Sequence, residues 1–118
     1  MELKAIKREM IFTPEWRKNK EQPVASQVRV HFKKLVSSGE VGLYKRYAMN
    51  SGSMEMIYKD IELIVAHVDK IENLSIGKDK IDDGVKLCDY EDVRMHSLIT
   101  EIRKHLVDDR EDFEQGED

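Results

Sequence analysis

Four histidines, one cysteine and two pairs of adjacent aspartates are the residues best equipped for chemistry in this 118-residue chain. The histidines are His31, His67, His96 and His105, and they raise metal binding first. Zinc takes three or four converging ligands. His96 and His105 are nine positions apart, which does not put them on neighbouring turns of one helix face. Each follows a carboxylate by four residues, Asp92 and Glu101, the spacing of weak helix-surface pairs. Cys88 stands in "VKLCDYED", where nearby acids raise a thiol pKa and work against the thiolate that a nucleophile needs. A lone cysteine also excludes an intrachain disulfide and a multi-cysteine zinc site. Asp82-Asp83 and Asp108-Asp109 are adjacent acids, but a catalytic pair needs a shaped pocket that separates its pKa values. No serine occupies a glycine-flanked elbow, and no glycine-rich phosphate loop occurs. The expectation is a protein with no catalytic residue, no metal site and no cofactor.

Any positioning of side chains must come from a small mixed fold. "LKAIKREMIFTP" concentrates strand-forming residues at Met10–Phe12 before Pro14 removes a ladder donor. "QVRVHFKKLV" alternates, with Val28, Val30 and Phe32 on one face and Arg29, His31 and Lys33 on the other. The two predicted strands pair antiparallel across a connection far longer than a tight turn, and loops of that length are usually functional or mobile. "SSGEVGLYKRYAMNSGS" reads as a second connection, with a short helical or extended piece around 41–47. From Ser53, a plausible N-cap, the period changes. Met54, Ile57, Ile61, Ile64, Val68 and Ile71 recur at three and four, the stripe of an amphipathic helix over about 54–72. Leu74 and Ile76, Gly77 and Asp82-Asp83-Gly84 predict a short strand and turns. A last helix over about 91–107, with Asp89 as cap, carries Met95, Leu98, Ile99, Ile102, Leu106 and Val107 on its apolar face. The fold class is α+β: a small antiparallel sheet packed with two main helices, as one domain over 1–107.

The chain is 40% apolar and 37% charged, against roughly 25% charge in an average domain. Residues 1–46 carry +6 and residues 108–118 carry −6, so a basic front half is balanced by an acidic end expected to be a flexible tail. No apolar run approaches the roughly 18 residues that cross a bilayer, and the first ten lack a signal-peptide centre. Arg17, Lys18 and Lys20 near Trp16, and Lys45 and Arg46 between Tyr44 and Tyr47, have the mixture of cation and aromatic that binds nucleic acid. The pI near 5.6 argues against it. Protein partners fit better. Met49, Met54 and Met56 cluster around the start of the predicted spine helix, and methionine suits surfaces that accept varied apolar partners. Trp16, the only tryptophan, lies in the long connection. It reads as a staple onto its own sheet or as an anchor for another chain.

Two stretches carry a family resemblance. "FTPEWRKNKEQPVASQVRVHF" resembles an entry motif of small tail-region proteins of long-tailed bacteriophages and prophages. Its matching positions are Phe12, Pro14, Trp16, Asn19, Pro23, Gln27 and the strand from Val28 to Val30. "VDKIENLSIGKDKIDDGVKL" is similar to a second motif of these proteins through Ile71, Asn73, Leu74, Ile76 and Ile81. The resemblance implies a non-enzymatic tail assembly chaperone acting in the bacterial host cytoplasm. Such a factor keeps the long tape measure protein soluble and helps recruit tail tube protein. Phe12, Trp16, Met54 and Met56 are then the expected partner-binding residues, and self-association is left open. The alternatives are a structural tail or head-tail connector component, or a small nucleic-acid-binding regulator.

Overall fold

The computed structural model describes residues 1–4 and 10–108. The expected acidic tail beyond Asp108 lies outside the described residues. The fold is α+β, as predicted. Strand β1 (Ile11–Phe12) pairs antiparallel with β2 (Arg29–Phe32), which pairs antiparallel with β3 (Val68–Glu72), in the order β1-β2-β3. A separate hairpin, β4 (Ser75–Ile76) and β5 (Asp79–Lys80), turns at Gly77, whose φ of 60° suits a residue without a Cβ. The helices are α1 (Ser38–Met49), α2 (Ser53–His67), α3 (Gly84–Asp89) and α4 (Arg94–Val107). Short 3-10 turns occupy Trp16–Glu21 and Val24–Ser26 within the long connection.

The sheet follows the alternation of its sequence. Val30 and Phe32 are buried and Arg29 and His31 are half-exposed. Ile64, Val68, Ile71, Leu87, Met95, Leu98, Ile102 and Leu106 complete a core drawn from the sheet, α2, α3 and α4. Burying each such side chain contributes roughly 1.5–3 kcal/mol.

The helix expected over 54–72 ends at His67, and the chain continues as β3. Val68 and Ile71 fit the helical stripe, but one edge of β2 needs a ladder partner for its N–H and C=O groups. The register shifts between His31 and Phe32, so Val68 faces Phe32 while Lys70 faces His31. The extra residue, Asp69, makes a bulge that lets Val68 and Ile71 both point into the core although they are three apart. Ser53 is not the N-cap of α2. Gly52 holds that position, without a side-chain hydrogen bond.

The last helix starts at Arg94 and not near residue 91, because Gly84–Asp89 forms a helix of its own. Asp83 caps this α3, its carboxylate accepting from the Lys86 amide at 2.8 Å, so Asp89 caps nothing. Gly84 lies at a close approach of α3 to α2 and β3. A Cβ there would lie 3.1 Å from the Ile64 carbonyl oxygen and 3.3 Å from the Val68 Cβ. The segment read as a connection is mostly α1, started by a capping box. The Glu40 amide donates to Ser37 Oγ at 3.2 Å, and the Ser37 amide donates to Glu40 Oε1 at 3.3 Å.

Candidate partner-binding surface

The long connection between β1 and β2 is a built structure. Asn19 is 5% exposed, and its Nδ2 donates to the carbonyls of Pro14 (2.8 Å) and Val28 (3.0 Å). Its Oδ1 accepts from the Val28 amide at 2.7 Å. One amide therefore ties the two ends of the connection together. Gln27 Nε2 donates to the Gln22 carbonyl at 3.0 Å, and Asn73 Nδ2 reaches Ala25 (3.0 Å) and Gln27 (2.9 Å) from the end of β3. These bonds hold Arg17 and Lys18 in the left-handed region, at φ of 50° and 60°, each at a cost of order 1–3 kcal/mol. The asparagines of the two sequence motifs thus fasten the same segment.

Trp16 is bonded to α4. Its Nε1–H donates to Ser97 Oγ at 2.9 Å and lies 3.1 Å from the Arg94 carbonyl, with the ring half-buried. Next to it, the Glu15 amide donates to Glu101 Oε2 at 2.5 Å. Phe12 stacks on His105 at 4.1 Å between ring centroids, and Phe32 lies on the same imidazole at 5.7 Å. Arg94, Ser97, Glu101 and His105 follow helical spacing, so β1 and its connection run along one face of α4. Phe12 and Trp16 are engaged inside the molecule.

The two methionines sit elsewhere, in the first turn of α2. Met54 is 62% exposed, whereas Met56 is half-buried against the core. The four expected partner-binding residues therefore divide into an α4-bound pair and an α2 pair. Other large apolar side chains of α1 and α2 are exposed as well, Leu43 and Tyr58 among them in addition to Met49 and Ile57. Met49 is 85% exposed, Leu43 64%, Tyr58 62% and Ile57 48%. All belong to the α1–α2 pair of helices. Tyr58 and Val65 were outside the stripe taken for the core. A second stripe at four-three-four spacing, Met54-Tyr58-Ile61-Val65, was the signal that could have found them.

α1 is pinned by one buried residue, Tyr44, whose hydroxyl donates to Asp60 on α2. Burial and the Asp60 carboxylate push the Tyr44 pKa up, so the hydroxyl remains a donor. His67, 1% exposed, joins α1 to α2 as well, with Nε2 3.1 Å from Glu40 Oε2 and Nδ1 3.0 Å from the Lys34 carbonyl. Desolvation works to raise the Glu40 pKa, but the Ser37 amide and hydroxyl and His67 together hold it below its ordinary value.

The other groups with chemical potential stay apart. Burial first, and then Asp89, pushes the Cys88 thiol up to about 11, away from a nucleophile. His31 lies 2.6 Å from Glu72 Oε2 across the sheet, and that bond lowers the Glu72 pKa. Among the described residues, no three His, Cys, Asp or Glu side chains gather as a metal ion would need. No described helix is long and apolar enough to cross a membrane. Comparison with family models, curated proteins and solved structures finds no match to the chain.

Proposed function

We propose that the protein is a non-enzymatic factor that binds another protein chain through its α1–α2 surface. It is a tail assembly chaperone of the kind the two motifs resemble, acting in the bacterial host cytoplasm. Its client is the tape measure chain, with tail tube protein recruited alongside. The observation that carries this reading is the concentration of Leu43, Met49, Met54, Ile57 and Tyr58, large apolar side chains left in water on one pair of helices. Single exposed apolar residues are ordinary, but a group of them marks an interaction surface. Methionine and tyrosine suit that role: one adapts its shape, and the other offers a large amphipathic ring. A body that is 37% charged keeps such a surface soluble until a client covers it. Phe12 and Trp16 serve the surface indirectly, by fixing the long connection to α4.

Co-expression with the tape measure protein tests the reading. Wild type keeps the client soluble, and a Met49→Glu/Met54→Glu variant with unchanged circular dichroism does not. Equal client solubility with both proteins refutes it. Mass spectrometry of purified particles separates the structural-component alternative, because a chaperone is absent from the finished particle.

A further inference from the structure

This inference rests on the protein-binding reading above and supplies the kind of partner and its seat. Met54, Tyr58, Ile61 and Val65 follow one another along α2 at intervals of four, three and four. Met54 and Tyr58 are each 62% exposed and Val65 is 37% exposed, with Ile61 half-buried beside them. Alternating steps of four and three are the spacing of the apolar seam along which one helix packs on another. The stripe is separate from what α2 already uses. Ile64 and His67 face the core, and Leu63 and Ala66 line the cleft shared with α1. One border of the stripe descends into a groove of about 240 Å³ between α2 and α4, lined by Ile57, Ile61, Cys88, Ile99 and Thr100 together with the polar Asp60 and His96. Along the other border stand Glu55 and Glu62, both exposed. Lys59 reaches Glu62 at 3.4 Å, but a surface pair of this kind is weak and leaves the carboxylate open to a better partner.

We propose that this stripe and groove seat an amphipathic helix of a partner protein, with apolar residues at matching four-three spacing and lysine or arginine on the flank that meets Glu55 and Glu62. A second copy of this chain fits less well. Two α2 helices paired antiparallel about a two-fold axis bring their glutamate flanks together, like charge against like. A parallel pair instead sets that flank on the α4 side, where Ile99 and His96 stand.

The test uses the full chain and two fluorescent designed peptides about four heptads long. Both carry leucine at every seam position. One has only lysine on its flanks and the other only glutamate, so each peptide repels its own copies. Anisotropy titration at low salt is expected to show the lysine peptide binding at least about tenfold more tightly. Tyr58→Glu and Val65→Glu should each weaken it about tenfold without moving the melting curve, and Glu55→Lys/Glu62→Lys should reverse the preference. The proposal is overturned if neither peptide binds, or if the double variant keeps the wild-type preference. It is also overturned if sedimentation shows a dimer that Tyr58→Glu splits, which makes a second copy the occupant. Co-expression separates the two levels. A Tyr58→Glu/Val65→Glu protein that still solubilises the client removes the seat and leaves the chaperone reading standing.

Discussion

Replacing Asn19 with alanine probes the connection at its most committed point. The side chain makes three hydrogen bonds to backbone groups at the two ends of the segment, at 2.7, 2.8 and 3.0 Å. Removing it leaves the Val28 amide and the carbonyls of Val28 and Pro14 to seek other partners. Each bond is worth about 0.5–1.5 kcal/mol net, and a group left buried and unpaired costs about 1–3 kcal/mol. A loss of about 2–4 kcal/mol follows for Asn19→Ala, a large share of the 5–15 kcal/mol that holds a typical domain. Asn19→Asp keeps the acceptor but turns a charge towards two carbonyls, and should cost at least as much. Urea unfolding read by far-ultraviolet circular dichroism measures the global loss. The fluorescence of Trp16, the sole tryptophan, reports the segment itself. In the variant the fluorescence transition should precede the circular dichroism transition. Asn19→Ala within about 0.5 kcal/mol of wild type, with coincident transitions, refutes the account.

Trp16→Phe keeps an aromatic ring but removes the N–H that bonds Ser97 together with part of the indole's contact area, so it should lose at least about 0.5–1.5 kcal/mol in urea unfolding read by circular dichroism. Trp16→Ala should lose more. Ile64 is fully buried, and Ile64→Asp should leave no cooperative melting transition, because a lone carboxylate there has no partner. Gly84→Ala should cost about 1–3 kcal/mol by the contact its Cβ makes with the Ile64 carbonyl, read from the urea midpoint. Glu40 is held below its ordinary 4.5 in the fold, so its contribution is present above that value and disappears as pH falls through the lower folded value. Glu40→Gln should therefore melt below wild type at neutral pH, and the two curves should converge under acid.

Local pattern was enough to determine the α+β class, the alternating strand β2 and the apolar face of α4. In each, the side-chain period and the burial direction agree. Other features were present in the residues but outweighed. Ser37 and Glu40 spell a capping box, yet Gly39 and Gly42 in the next turns, each costing about 1 kcal/mol against alanine, made α1 read as a connection. The tertiary structure decided where α2 stops. Val68 and Ile71 satisfy a helix and a bulged strand equally, and only the open edge of β2 makes the strand the better choice. It also decided what the apolar residues are for. Met54, Ile57 and Ile64 belong to one stripe in the sequence, but α3 and α4 cover Ile64 and leave Met54 and Ile57 in water. Trp16 likewise became a staple when Ser97, eighty-one positions away, came within hydrogen-bond distance. A one-dimensional pattern records which side chains avoid water. Which of them a neighbour reaches depends on contacts between residues far apart along the chain.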